Sequence, residues 1–262
     1  MKQLFSPIES LMVSIKLMTM RKEKNVIHSG RFPQGIKNAA FSHDYRTDLL
    51  EKIAAENTMS LNQLIIALFG QSLKQYMVTK SDNRTSRIRV AMQCMLRQTP
   101  TSEGRIQLRN NMSMKIAYFD LNTDIDKEIR RIKVDRDIAQ DSIYEAQGMH
   151  LLSKLTGLLP ALITKIISLD LSRKVSLVYS KFPPLKSPLT FTGKKSKSFI
   201  MFAPLLGCLN ACVSVVFHAQ HAKILCLSDE ACIADPKLLM KMFDANVANL
   251  LNKKEQSVPA AY

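Results

Sequence analysis

The sequence predicts an α/β chain in which helices cover a mixed β-sheet, and three observations carry that reading. Short runs rich in β-formers occur at 37–43, 87–96, 111–119 and 221–227. Longer segments with helical spacing lie between and after them, clearest from Leu61 to Tyr76 and from Pro236 to Leu251. Strands and helices alternate without a strict βαβ rhythm, which implies a mixed sheet rather than an all-parallel one. With 262 residues, 46% of them hydrophobic, the chain can build a full core, and ten Pro with eight Gly exclude collagen-like and disordered classes. No abrupt shift in composition marks a linker. The expected organisation is an N-terminal helix and connector at 1–34, one principal domain at 35–253 and a tail at 254–262.

A first helix is expected from Pro7 to Lys22, with Ile8, Leu11, Met12, Ile15, Leu17 and Met18 as a broad apolar face and basic residues closing its end. Asn25 to Gln34 reads as a connector. Lys37 to His43 alternates as a strand, and Asp44 offers an N-cap for a helix through Leu49, Leu50 and Ile53. Ser60 opens the next helix, where Leu61, Leu64, Ile65, Leu68, Phe69, Leu73 and Tyr76 keep helical spacing and belong in the core. Arg87 to Leu96 and Asn111 to Phe119 are strand-like, the second alternating Met112, Met114, Ile116 and Tyr118. A polar helix is expected from Asp124 to Gln140.

Tyr144 to Leu171 is much more apolar, but Lys154, Pro160 and Lys165 interrupt it, so it reads as a kinked amphipathic hairpin that packs internally or lies in a membrane interface. Ser198 to Ala222 runs 25 positions without a charge, long enough to span a bilayer. Pro204, Gly207 and Asn210 in its middle, with β-formers on both sides, favour two buried strands around a turn. Asp235 at an N-cap and Pro236 at the first helical position start the last helix, which buries Leu239, Met242, Phe243, Val247, Leu250 and Leu251.

Thirty-seven Lys and Arg against 22 Asp and Glu give a net charge of +15. The excess favours anionic partners such as phospholipid headgroups or phosphorylated cofactors, or serves only to solubilise the surface. Local density occurs at Arg21-Lys22-Lys24, at Arg84-Arg87-Arg89 and at Lys194-Lys195-Lys197, with no continuous run and no aromatic interleaving, which argues against a nucleic-acid binder. Five cysteines, Cys94, Cys208, Cys212, Cys226 and Cys232, and an N-terminus without a secretory pattern fit a reducing compartment. Cys208 and Cys212 with His218 and His221 lack the spacing of a zinc site, so no metal is expected. There is no GxSxG elbow, glycine-rich phosphate loop or dinucleotide fingerprint.

Several strings, in order, resemble the wax ester synthase and acyl-CoA:diacylglycerol acyltransferase family, its plant-type members in particular. The ending LCLSDEACIADPKLLMKMFDANVANLL is similar to that family's closing strand, "VDEEAVPDP"-like loop and terminal helix, with Asp229, Glu230, Asp235 and Pro236 in place. MSLNQLIIALFGQSLKQYM resembles "TVNDVVLAAVSGALRRYL", where Asn62 matches and Gln63 replaces Asp. RVAMQCMLRQTP looks like a strand ending in "PVSLR" or "MNLR", which puts Arg97 on the family arginine. QLRNNMSMKIAYFDL is similar to the "GN" strand, with Asn111 on the Asn and Asn110 on the Gly. LVYSKFPPLKSPLTFTGK resembles "LLSNVPGPKEPLTFAGH", retaining Ser180, Pro183, Pro188 and Gly193, with Lys181 where the family has Asn.

The matches run from about Ser29 to Leu251. The resemblance implies one half, the C-terminal one, of the two-domain fold of CoA-dependent acyltransferases related to chloramphenicol acetyltransferase, in which two αβ halves enclose a tunnel. It implies an O-acyltransferase acting on acyl-CoA and a diacylglycerol or long-chain alcohol, with acyl-CoA as substrate and no separate cofactor. Asn62, Arg97 and Asn111 would then shape the substrate tunnel, unless they only satisfy buried backbone groups. The family's base is the His of HHxxxDG. Here the residues four past each His are Phe32, Thr47, Lys154, Ala222 and Leu225, so HxxxD is absent and no catalytic residue is expected in this chain. Three readings follow: a piece of a longer enzyme, one of two halves that assemble in cis or trans, or a non-catalytic relative that binds lipid or a partner. On any of them a membrane surface, at the endoplasmic reticulum or a lipid droplet, is the expected location, and the half alone is expected to expose the apolar face that meets its partner.

Overall fold

A computed structural model describes residues 6–28, 32–95, 112–122, 124, 142–182, 184, 185, 187–203, 205 and 207–257. In chain order its elements are α1 (Ser6–Thr19), β1 (Lys37–Phe41), β2 (Tyr45–Arg46), α2 (Thr47–Glu56), α3 (Leu61–Thr79), β3 (Arg87–Met95), β4 (Met112–Asp120), α4 (Ser142–Thr156), α5 (Ala161–Ser172), β5 (Leu177–Lys181), β6 (Thr190–Phe191), β7 (Lys194–Lys195), β8 (Ala211–His218), β9 (His221–Asp229) and α6 (Pro236–Ser257). The main sheet runs β1-β9-β8-β5-β3-β4, with β2 also on β9, and β6 and β7 form a separate hairpin. β3, β5 and β8 are mutually parallel at its centre, and antiparallel strands flank them on both sides. This is the mixed, helix-covered sheet expected from the sequence.

Alternation divides the strands between two faces. The first face carries Val90, Leu177, Tyr179, Val213, Val215 and Ile224 into a large core shared with α2, α3 and α6. α3 begins in a capping box, Ser60 Oγ accepting from the Gln63 N–H while the Gln63 side chain accepts from the Ser60 N–H. It packs against α6, and between them the Gln75 and Asn246 amides bond each other while Asn246 Nδ2 donates to Ser72 Oγ at 2.8 Å. Asp235 Oδ1 accepts from the Leu238 N–H at 3.0 Å and caps α6 as the sequence predicts.

The second face carries a smaller cluster, Ala91, Val178 and Cys212 with Val175, Ala203 and Leu209. α1, α4 and the segment ahead of β8 lie on this side. Lys174, just after α5, anchors the end of α1: its Nζ donates to the Leu17 and Met18 carbonyls at 2.9 Å and pairs with Asp170 at 2.6 Å. The connector after α1 is tied down by Glu23, which bonds Arg89 Nε at 3.1 Å and the Ser176 hydroxyl.

Several sequence expectations need correction. Asp44 caps no helix: Tyr45 and Arg46 first pair with Ala222 and His221 as β2, so α2 starts at Thr47 and Asp44 instead pairs with Lys223 at 3.1 Å. The apolar face read into α1 is mostly exposed. Among the side chains described there, Leu17 is buried, while Leu11, Met12, Ile15 and Met18 face outward. β4 is an edge strand whose alternating Met112, Met114 and Tyr118 are exposed, and Phe119 is its core residue. Of the two strands expected in the uncharged 198–222 stretch, the described residues form the second, β8. Residues 199–203 are irregular, and Gly207, at φ +60°, touches the end of α5 so closely that a Cβ would meet Ser172 Oγ at 2.7 Å. The 144–171 hairpin does form, as α4 and α5 broken at Pro160. The 124–140 helix lies outside the described residues apart from Asp124.

Asp229 closes the sheet. Its buried carboxylate accepts from the Gln34, Gly35 and Ala231 N–H groups and from Lys37 Nζ at 2.8 Å. Burial pushes its pKa up, but Lys37 and the three N–H groups outweigh that and hold it near 2, against an ordinary 3.8. A depressed folded pKa stabilises the fold above the unfolded value and loses that contribution as pH falls from about 4 towards 2. Asp229→Asn is expected to cost on the order of 3 kcal/mol at pH 7 and to flatten the acid limb of stability below pH 4, measured by urea unfolding across pH.

Candidate functional site

The second face of the sheet holds an apolar cleft of about 200 Å³. Leu17 of α1, Ala91 of β3, Met114 and Ile116 of β4, Leu152 of α4 and Leu171 of α5 line it. Ser153, Thr156, Ser168 and Ser172 place hydroxyls at its wall. Ala91 at its floor is small, which leaves space beneath the helices.

Beside the cleft, towards the carboxyl ends of the three parallel strands, runs a row of polar side chains. Ser180 of β5 is in register with Ser214 of β8, and Met92 of β3 with Tyr179 of β5, which sets Gln93 next to Ser180. The Ser180 hydroxyl donates to Gln93 Oε1, and Ser214 Oγ lies 3.6 Å from Cys212 Sγ. Both serines are fully buried. Buried hydroxyls on the sheet face next to an apolar cavity suit a ligand with a polar head and an apolar chain. Burial raises the Cys212 thiol beside the row, so it is held protonated rather than as a thiolate.

The histidines do not gather here. His28 is buried with Nε2 3.2 Å from the Arg173 carbonyl, and burial lowers its pKa. His43 is exposed beside Asp244, His150 lies on α4, and His218 contacts the Ser196 hydroxyl. Among the described residues no group of three or more His, Cys, Asp or Glu could hold a metal ion.

Of the residues chosen from sequence, Ser180 stands in the polar row. Asn62 stands on the opposite side of the sheet, where its Oδ1 accepts from the Tyr179 hydroxyl at 2.7 Å. Gly193 takes φ +79° after Thr192 at φ +47°, the two-residue turn of the β6–β7 hairpin. Asp229 clamps the connector, Asp235 caps α6, and Glu230 is exposed with its N–H on the Ile36 carbonyl. Arg97, Asn111 and Pro183 lie outside the described residues. Gln93 and Ser214 were not singled out, since only strand register, which no local string encodes, brings them to Ser180.

A mixed sheet covered by α2, α3 and α6 on one face, with a cleft beneath α1, α4 and α5 on the other, fits the class of the chloramphenicol-acetyltransferase-like fold. The chain superposes on the wax ester synthase/diacylglycerol acyltransferase from Marinobacter aquaeolei VT8 with a TM-score of 0.58 at 12% identity, covering 94% of this chain and 57% of that one. It matches a condensation domain of the enacyloxin polyketide synthase at 0.59 and 11% identity, over 97% of this chain and 48% of that one. The PapA2 acyl transferase matches at 0.52 and 10% identity, over 92% and 51%. The chain thus spans about half the length of these relatives. It belongs to the family of the WS/DGAT C-terminal domain, whose family model matches residues 110–250, just over half of the chain. None of the curated proteins matches it.

The Tyr179–Asn62 bond can be weighed directly. Tyr179→Phe is expected to cost about 1 kcal/mol, and Asn62→Ala about 2 kcal/mol because it orphans a fully buried hydroxyl. The double variant should cost less than their sum in urea unfolding.

Proposed function

We propose that this chain supplies one wall of an O-acyltransferase site that moves a fatty acyl group from acyl-CoA to the hydroxyl of a diacylglycerol or long-chain alcohol. Family membership gives the reaction class, and the observation that carries the assignment is the apolar cleft beside the Gln93–Ser180–Ser214 row. The acyl chain lies in the cleft, and the buried hydroxyls meet its polar end. The proton acceptor comes from an HHxxxDG-bearing half, in cis or trans, because the chain has no HxxxD. Outward-facing Leu155, Leu158, Leu162 and Ile166, with Lys154 and Lys165 among them, support contact with the membrane interface from which a lipid acceptor would come.

The test is binding of a non-hydrolysable thioether analogue of palmitoyl-CoA to the full chain. Saturable binding is expected, and Ser168→Phe, which projects a ring into the cleft, should weaken it at least tenfold without lowering the melting temperature. Absence of saturable binding overturns the reading. Ester formation on adding a polypeptide with the HHxxxDG half supports an acyltransferase. Binding without ester formation in that mixture favours the lipid-binding alternative.

A further inference from the structure

A second cleft, of about 140 Å³, opens at the end of the β8–β9 hairpin and belongs to no part of the apolar site. Asp44, Lys197, Ser198, His218, His221 and Lys223 line it. They come from three separate segments: the loop between β1 and β2, the chain after β7, and the hairpin itself. The segment after β7 is one of the three basic clusters visible in the sequence, Lys194-Lys195-Lys197. It is tethered here by the 2.8 Å bond between Ser196 Oγ and His218 Nε2, with His218 only 8% exposed on the cleft floor.

We propose that this cleft binds a phosphate group, as a monoester or diphosphate. Two ammonium groups and two imidazoles face one carboxylate, Asp44, which is already held by Lys223 at 3.1 Å. Lys223 is further fixed over the Phe41 ring at 5.2 Å, so its charge is positioned rather than free to swing. Lys197 and the Ser198 hydroxyl stand at the exposed rim and supply donors to an incoming anion. Val216 and Phe199 form apolar walls that reduce screening by water. His218 lies on the same face of β8 as Ser214, four residues and so about 13 Å further along the strand. Resting on the acyl-CoA reading above, that distance lets the nucleotide phosphate of the carrier sit in this cleft while its acyl end reaches the polar row. A phosphorylated lipid headgroup offers the same chemistry from another source.

The experiment titrates the full chain with inorganic phosphate and with 3′,5′-adenosine bisphosphate at low salt, following the ring signals of His218 and His221 by NMR. Saturable shifts at both, stronger for the bisphosphate, are expected. Lys197→Glu should weaken binding at least tenfold with the melting temperature unchanged, and His218→Gln should weaken it as well. A parallel arm compares vesicles containing phosphatidate with phosphatidylcholine alone. Binding sensitive to Lys197→Glu that occurs only on phosphatidate vesicles assigns the cleft to a headgroup. No Lys197→Glu-sensitive binding in any arm overturns the proposal. Ser168→Phe should leave these titrations unchanged, so phosphate binding without binding of the thioether analogue would sink the acyl-transfer reading and leave this site standing.

Discussion

Every residue of β8 is buried, and so are four of the five in β5. Parallel strands buried on both sides require two covering layers, and the rest of the architecture follows from that demand. The first layer is met mainly by apolar packing: α2, α3 and α6 bring Leu64, Leu68, Phe69, Leu73, Phe243 and Val247 onto the first face. The second layer is assembled from distant parts of the chain and held largely by polar anchors. Lys174 is 2% exposed, yet its ammonium is satisfied by two carbonyls at the end of α1 and by Asp170, which favours a cation at a helix C-terminus. Glu23 and Arg89 do the same for the chain leaving that helix. Burying such groups is tolerable only because each is fully paired.

The two faces also differ in side-chain size, and that difference makes the site. Leu177, Tyr179, Val213 and Val215 fill the first face, whereas Ala91, Val178, Cys212 and Ser214 occupy the second. Helices laid over small residues at ordinary packing distance leave unfilled volume, which costs dispersion contacts. A fold under selection for stability alone would close that gap with larger side chains. Keeping it open, and setting buried hydroxyls beside it, is the pattern of a face that meets a ligand.

Much of this was legible in the residues. α3 and α6 show in their spacing and caps, since Ser60 with Gln63 and Asp235 with Pro236 are local signals that tertiary context did not override. The strands at β1, β3, β4, β8 and β9 and the break at Pro160 show for the same reason, whereas β5 at the centre of the sheet does not. Illegible were the features that depend on pairing. Asp44 looks like a cap until Tyr45 and Arg46 find β9, and the alternation of Met112, Met114 and Tyr118 does not say that they lie exposed on an edge strand. The Gln93–Ser180–Ser214 row exists only through the register of three strands far apart in sequence. The family resemblance marks Ser180 only as a retained motif position and says nothing of the row in which it stands.

The exposed apolar side chains are not scattered. Leu11, Met12, Ile15 and Met18 of α1, Leu151, Leu155, Leu158, Leu162 and Ile166 of the α4–α5 hairpin, and Met112, Met114 and Tyr118 of β4 all belong to elements on the second face or at its edge. Elements of the first face show few: Leu49 and Val78 are its large exposed hydrophobics. Apolar exposure concentrated this way marks a surface that expects cover. The same side of the sheet carries the apolar cleft, the polar row and the cationic cleft at the hairpin end. The exposed apolar side chains and the groups of both clefts therefore fall on the same face, so the packing demand and the open volume of the second face point in the same direction.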